Sequence, residues 1–169
     1  MTKILFVCSG NVFRSLSAER ALRSILPPGS NVEVSSAGTI AGKAKLRQDV
    51  LDALARWGVD GRDHKPRLLT QEIVDDSDLI VAMNTDHQKI IAEKFGRHAP
   101  LYNEIATGSA LPFPDLPDVV ERYWEKPEES RVFVDASIDR IFRNREMFLA
   151  RLPQYLPKAP AGPGPSPAP

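Results

Sequence analysis

Short apolar runs alternate along the chain with segments in which apolar residues recur every three or four positions. The short runs are KILFV at 3–7, NVEVSSAG at 31–38, DLIVAM at 78–83 and APLYN at 99–103. Each is bounded by turn-forming or helix-breaking residues and is too short for a typical helix. This pattern predicts four strands of a parallel sheet, of which the first and third are buried.

Helical periodicity fills the intervals between these runs. Apolar positions spaced three or four residues apart predict helices over 15–26, 45–58, 85–96 and 135–152. In the third helix, Thr85 and Gln88 have the spacing of a capping box, and Gly96 is placed to end it. Alternating strands and helices predict a single α/β domain, a four-stranded parallel sheet flanked by helices on both faces.

The C-terminal segment differs in composition from the rest of the chain. Residues 157–169 read PKAPAGPGPSPAP, which contains almost only Pro, Ala, Gly and Ser. Such a segment cannot bury a core. We therefore assign residues 1–152 to the domain and residues 153–169 to a disordered Pro/Ala/Gly-rich tail.

Composition narrows the classes of function. The 22 basic and 22 acidic residues balance, so no global field favours nucleic acid or a membrane surface as a partner. No apolar run approaches the roughly 20 residues that span a bilayer. A single cysteine excludes an internal disulfide and a cysteine-rich metal site, and it suits a reducing compartment. We expect a cytoplasmic protein without a bound metal or cofactor.

The candidate chemistry lies in VCSGNVFRSL, residues 7–16, between the first strand and the first helix. In parallel α/β sheets, ligands bind at the carboxyl ends of the strands, which is where this loop falls. Backbone N–H groups of such a loop, together with the helix dipole, can converge on an anion. Arg14 can donate two hydrogen bonds to one oxyanion. The same surroundings favour a thiolate at Cys8, so one loop can both bind phosphate and attack it.

Two other phosphate-binding loops are excluded by their motifs. The nucleotide-binding pattern GxxxxGK[ST] is absent, and so is the dinucleotide-binding pattern GxGxxG. A cysteine followed six residues later by an arginine is weak evidence alone. Its position between a strand and a helix strengthens it.

The loop resembles that of the low-molecular-weight protein tyrosine phosphatase family in its bacterial form, which reads C-x-G-N-x-C-R-S. Further resemblances follow in the same order along the chain. They are SSAGT at 35–39, GVDGRDHKPR at 58–67, DLIVAM with NTDH at 78–87, and DLPDV at 115–119, where the family has its Asp-Pro acid loop. Together these segments extend the resemblance from residue 3 to about residue 150.

The resemblance implies a role for each matching residue. It implies that Cys8 is the nucleophile, that Arg14 clamps the phosphate and that Asp118 is the general acid, with Asp115 as its competitor. The phosphate-binding loop would comprise Ser9, Gly10, Asn11, Val12, Phe13, Arg14 and Ser15. Asn11, Ser15, Ser36 and His64 would support the conformation of that loop.

The chain departs from the family pattern at three positions. Phe13 replaces the second loop cysteine, so the disulfide available to other members cannot form. Leu16 replaces a common proline at the start of the helix. Val119 replaces the proline after the acid, which leaves the choice between Asp118 and Asp115 open.

The implied activity is metal-free hydrolysis of phosphotyrosine in protein substrates through a cysteinyl-phosphate. Inorganic phosphate and other oxyanions would bind as product-like ligands. Two alternatives remain: an arsenate reductase that uses an external thiol, and a phosphate-binding module with little or no catalysis. A protein-arginine phosphatase would also resemble this chain, but that branch carries threonine where this loop has Val12.

Overall fold

A three-stranded parallel sheet lies at the centre of the computed structural model, which describes residues 1–41 and 44–157. The strands are β1 (Thr2–Cys8), β2 (Val32–Gly38) and β3 (Leu79–Ala82), in the order β2-β1-β3. The helices of the described residues are α1 (Arg14–Arg23), α2 (Gln48–Arg56), α3 (Gln71–Asp75), α4 (Thr85–Phe95), α5 (Tyr102–Thr107), α6 (Leu116–Val119), α7 (Pro127–Arg143) and α8 (Arg145–Arg151).

Alternation along β1 divides the core into two layers. Ile4, Phe6 and Cys8 point into a larger cluster built with α1, α2, α5, α7 and α8. Leu5 and Val7 point into a smaller cluster built with α3 and α4. Because successive side chains of a strand face opposite sides, a continuous apolar run indicates a strand that is buried on both faces. The prediction of a single α/β domain with helices on both faces is confirmed.

The prediction of a fourth strand over residues 99–103 is wrong. The chain there makes one isolated bridge to β3, in which the Ala82 N–H donates to the Pro100 carbonyl at 2.9 Å. It then turns into α5, where the Glu104 carboxylate accepts from the Leu101 N–H at 3.3 Å and caps the helix. Tyr102 buries its ring against Phe148 at a centroid distance of 5.2 Å. Capping and burial together end the strand.

The predicted C-terminal helix is two helices. The chain breaks at Asn144, between α7 and α8, and α7 begins eight residues earlier than the periodicity indicates. Proline at the first position of α7 needs no N–H partner and starts the helix there. Of the predicted tail, residues 153–157 are described, and the Tyr155 hydroxyl donates to the Glu104 carbonyl at 3.3 Å. The remainder, 158–169, lies outside the described residues, so the tail stays a prediction.

Candidate active site

The loop from Cys8 to Arg14 lies where predicted, at the carboxyl end of β1 and the N-terminus of α1. Cys8 is the last residue of the central strand, and Arg14 is the first residue of the helix. The first N–H groups of an α-helix have no partner within the helix, so they are available to an anion held by this loop.

Asn11 is the hub of the loop. Its φ is 56°, in the left-handed region that asparagine tolerates better than most residues. Its Nδ2 donates to Ser15 Oγ at 3.0 Å and to Ser36 Oγ at 2.9 Å. Its Oδ1 accepts from the Arg67 N–H at 3.0 Å. A fully buried side chain with every polar atom paired holds the backbone in a conformation that it would otherwise leave.

Asn11 also sets the direction of the hydroxyl groups around it. Because its amide donates to Ser15 Oγ, the hydrogen of that hydroxyl is free to point at Cys8 Sγ, 2.9 Å away. By the same argument, Ser36 accepts from Asn11 and donates to the buried Glu19 carboxylate at 2.5 Å. The Ser15 hydroxyl is therefore placed to donate a hydrogen bond to the sulfur.

His64 supports the loop from the outside. Its Nε2–H donates to the Asn11 carbonyl at 2.7 Å. Burial lowers the pKa of His64, and this hydrogen bond opposes the shift. The predicted supporting residues Asn11, Ser15, Ser36 and His64 are thus brought together around one turn. Glu19, which the sequence did not single out, completes the set.

Gly38, in the SSAGT segment, lets the loop approach β2 closely. A Cβ at this position would lie 2.4 Å from the Ser9 carbonyl oxygen and 2.9 Å from the Asn11 nitrogen, and both are backbone atoms. The neighbouring Thr39 N–H donates to the Cys8 carbonyl at 2.9 Å. A larger residue at 38 would have to displace the loop itself.

Arg14 is buried in spite of its charge. Its side chain is 1% exposed, its Nη1 donates to the Phe113 carbonyl at 3.0 Å, and its Nη2 pairs with Asp115 Oδ2 at 2.5 Å. Burial of a guanidinium is costly unless it is paired and hydrogen-bonded, as it is here. The guanidinium is held beside Cys8, in the same cavity.

The structure places Asp115, and not Asp118, beside the cysteine. Asp115 lines the cavity together with Cys8 and Arg14. Asp118 is exposed, and its Oδ2 folds back to accept from the Asp115 N–H at 2.9 Å. The two aspartates form a capping box at the start of α6, in which the first residue faces the loop and the second closes the cap. This geometry favours Asp115 over the predicted Asp118 as the carboxylate that faces the loop.

The sequence predicted Ser9 in the loop but missed its partner, His87. His87 is 1% exposed, and its Nε2 lies 3.0 Å from Ser9 Oγ. The predicted cap at Thr85 is off by one residue: Asn84 caps α4, so His87 and not Gln88 occupies the third position of the helix. The position of His87 in the chain could have indicated its role. It lies at the start of α4, which follows β3, and the carboxyl end of β3 lies beside that of β1.

A cavity of about 230 Å³ opens over the loop. Cys8, Arg14 and Asp115 contribute its chemical groups, and the walls are largely apolar. The lining residues other than the loop and Asp115 are Ile40, Ala44, Arg47, Leu116, Pro117 and Tyr123. Arg47 lies over the Tyr123 ring, 5.4 Å from its centroid, and pairs with Asp49 at 2.5 Å. The cavity thus combines a cysteine, an arginine and a carboxylate with largely apolar walls.

Phe13 stands where the family carries a second cysteine. Its ring is buried and meets Phe133 of α7 edge-on, at a centroid distance of 6.2 Å. The position is therefore part of the core, and Cys8 has no thiol partner elsewhere in the chain.

Two general properties of the described part of the chain complete the picture of the site. Residues 1–41 and 44–157 contain no cluster of three or more His, Cys, Asp or Glu side chains that could hold a metal ion. In the same part of the chain, no helix has the length and apolar character needed to cross a bilayer.

Acid should destabilise the protein through His87. Burial, and the nearby Arg14 charge, lower the pKa of His87 to about 3, against 6.5 in the unfolded chain. Between these values the unfolded state binds more protons, so stability falls as pH drops from 6.5 toward 3. At pH 5 we expect a loss on the order of 2 kcal/mol relative to pH 7 and above. Urea unfolding at several pH values measures it.

His87→Gln provides the control, because glutamine does not titrate. The difference in unfolding free energy between wild type and this variant should shrink by the same amount from pH 7 to pH 5. A difference that stays constant over this range would show that His87 is not held neutral in the folded state.

Comparison with known proteins places the chain among phosphatases. The family model for low molecular weight phosphotyrosine protein phosphatase matches residues 3–105. A protein-arginine-phosphatase of Bacillus subtilis is 38% identical over 111 residues, which cover 63% of this chain and 73% of that protein. The low molecular weight protein-tyrosine-phosphatase Etp of Escherichia coli is 43% identical over 86 residues, 50% of this chain and 55% of that relative. The crystal structure of a YwlE mutant from Bacillus subtilis superposes with a TM-score of 0.75 at 29% identity, covering 90% of this chain and 99% of the other.

Proposed function

The chain belongs to the low molecular weight phosphotyrosine protein phosphatase family, a cysteine-dependent group of hydrolases, and we propose that it hydrolyses phosphotyrosine in protein substrates. One observation carries the proposal. Cys8, Arg14 and Asp115 line a single cavity, and Ser15 is placed to donate a hydrogen bond to the sulfur at 2.9 Å. Nucleophile, anion clamp and acid therefore meet over one loop.

The first step transfers the phosphoryl group to the enzyme. The Cys8 thiolate attacks phosphorus as the bond to the phenolic oxygen breaks, and Asp115 gives its proton to that oxygen. The product is a cysteinyl-phosphate and a free phenol. Loop N–H groups and Arg14 stabilise the charge on the remaining phosphate oxygens, which supplies most of the catalysis in reactions of this class.

The second step releases phosphate. A water molecule attacks phosphorus, Asp115 takes a proton from the water, and the sulfur leaves as the thiolate. Ser15 is placed to donate a hydrogen bond to that sulfur both when it attacks as the thiolate and when it leaves as the thiolate. Inorganic phosphate is thus both the product and a competitive ligand of the same cradle, which the loop N–H groups and Arg14 form.

Asp115 is proposed as the acid because its carboxylate is at the cleft. Its Oδ2 is shared between Arg14 and Ser9, while Oδ1 accepts from the Leu116 N–H at 2.8 Å. An acid must lie within hydrogen-bond reach of the leaving group. The position of Asp115 also weakens the alternative of a phosphate-binding module, which would have no use for a carboxylate there.

Turnover assays test the function directly. The purified protein is given a phosphotyrosine peptide, and phosphate release is measured without a metal or cofactor. Parallel reactions with arsenate and a small thiol test the arsenate-reductase alternative by thiol consumption. Phosphate release in the first assay and no arsenate-dependent thiol oxidation in the second are the expected results. The reverse pattern would replace phosphatase activity with reduction.

Phosphoarginine is the competing substrate, since a relative named protein-arginine-phosphatase matches over 111 residues. We expect phosphotyrosine to be cleaved faster. Val12 lines the cavity with an apolar side chain and offers no hydroxyl to a guanidinium, while the walls suit a phenyl ring. Comparing kcat/KM for peptides that carry either group measures the preference, which we expect to exceed about tenfold.

Val12→Thr is the matched variant, because it changes one methyl group to a hydroxyl at nearly constant volume. It should raise the relative rate on phosphoarginine. A wild-type enzyme that cleaves phosphoarginine faster would overturn the proposed substrate and leave the cysteine chemistry intact.

A further inference from the structure

The side chains of Ser9 and His87 have no part in the mechanism above, although Ser9 lies within hydrogen-bonding distance of Asp115 and Arg14, and His87 of Ser9. The Ser9 hydroxyl lies 3.0 Å from His87 Nε2, 3.4 Å from Asp115 Oδ2 and 3.4 Å from Arg14 Nη2. His87 is almost completely buried, a position that a polar ring takes only when its nitrogens are partnered.

The direction of these hydrogen bonds is fixed by the backbone N–H of Asn84. The Asn84 N–H can only donate, so His87 Nδ1, 3.1 Å away, must accept. In the neutral ring the proton is then on Nε2, and Nε2–H donates to Ser9 Oγ. The serine oxygen can also accept from Arg14, and its own hydrogen is left for Asp115 Oδ2. A series of hydrogen bonds therefore runs from the cap of α4, through His87 and Ser9, to the Asp115 carboxylate.

This direction holds only while the ring is neutral. A protonated His87 would turn Nδ1 into a donor facing the Asn84 N–H. Burial beside Arg14 keeps the pKa of His87 near 3, so the ring stays neutral at the pH values where a phosphatase would work.

The ion pair between Arg14 and Asp115 cannot persist through the reaction. An incoming phosphate dianion competes with the carboxylate for the same guanidinium, and the carboxylate must carry a proton to act as an acid. A neutral carboxyl gains little from a cation, so the pairing that places Asp115 in the resting enzyme weakens when placement matters. The hydrogen bond from Ser9 does not depend on that charge.

We propose that Ser9 and His87 position the Asp115 carboxyl group over the cysteine cradle once Arg14 has turned to the phosphate. Neither side chain is a catalytic residue in this role, since neither gives or takes a proton of the reaction. Ser9 acts on Asp115, and His87 acts through Ser9. The inference depends on Asp115 being the acid.

Four variants, in two matched pairs, test this relay, in which His87 acts on Ser9 and Ser9 acts on Asp115. Ser9→Ala removes the hydroxyl, and Ser9→Thr keeps it. His87→Asn keeps an acceptor for the Asn84 N–H and loses the donor to Ser9, whereas His87→Gln keeps an amide N–H that reaches the Nε2 position. Each is assayed on aryl phosphates that range from poor to good leaving groups, with Cys8 alkylation by iodoacetate as a measure of the nucleophile.

Loss of one positioning hydrogen bond should lower kcat about tenfold for poor leaving groups and less than about twofold for good ones. Ser9→Thr and His87→Gln should recover most of the loss, and the rate of Cys8 alkylation should not change. The double variant of Ser9→Ala and His87→Asn should be no slower than Ser9→Ala, because the two side chains act in series.

An equal loss across all leaving groups, or a loss that the conservative variants do not recover, would overturn the relay. If His87→Asn does not fold, the Ser9 pair decides the question alone. Asp115→Asn in the same series separates the acid assignment from the relay. If the rate loss of Asp115→Asn does not depend on the leaving group, Asp115 is not the acid. If it does, but the rate loss of Ser9→Ala does not, only the relay is wrong.

Discussion

Cys8→Ser should lower kcat by on the order of 10⁴-fold or more, because a serine hydroxyl is a far weaker nucleophile than a cysteine sulfur. Binding of inorganic phosphate should persist, since the groups that hold the anion are Arg14 and loop N–H groups rather than the sulfur. Turnover of a phosphotyrosine peptide and calorimetric titration with phosphate measure the two quantities separately.

Ser17→Ala is a suitable control for the purity and folding of these variants. Ser17 is a buried residue of α1 whose hydroxyl donates to the Phe13 carbonyl at 2.7 Å, close to the loop in sequence but not lining the cavity. Residual activity of Cys8→Ser within about tenfold of wild type would contradict the covalent mechanism. Loss of phosphate binding together with turnover would show instead that serine disrupts the cradle.

Asp115→Asn should slow the enzyme roughly 100-fold or more on aryl phosphates with poor leaving groups, and much less on activated esters. A poor leaving group needs a proton as its bond to phosphorus breaks, and asparagine has none to give. Rates on a leaving-group series measure this dependence.

Asp118→Asn is the matched control, from the same capping box. It should keep nearly wild-type rates and lose up to about 1 kcal/mol of stability, the usual size of a capping contribution. If Asp118→Asn shows the leaving-group dependence and Asp115→Asn does not, the second aspartate is the acid and the loop must rearrange on binding substrate.

Local signals predicted the fold where burial and spacing act within a few residues. The apolar runs of β1 and β3 identified strands because both are buried on both faces, whereas β2 is buried mainly toward its carboxyl end. The run at 99–103 was also predicted as a strand, yet there the Glu104 cap and the burial of Tyr102 favour a helix. The cap is local, but the packing of Tyr102 against Phe148 is a tertiary contact, which composition does not encode.

The candidate site shows the same division. Cys8, Arg14 and Asn11 are recognisable because a strand, a loop and a helix follow one another in the sequence. Asp115 and Asp118 are three residues apart and of the same type, so only the direction of each side chain tells them apart. His87 reaches the loop from 78 residues away, through the adjacency of β1 and β3. A correct cap at Asn84 was the one local clue to it.

The contacts of Asn11 have a consequence for the order in which the molecule assembles. They join the loop to partners 25, 53 and 56 residues away, at Ser36, His64 and Arg67. Such distant pairings must overcome the entropy of closing long loops, and they form late relative to helices. An intermediate with its helices formed but with the 64–67 segment undocked would carry the thiol without the cradle. We therefore expect catalytic activity to appear in refolding only after these distant contacts have formed.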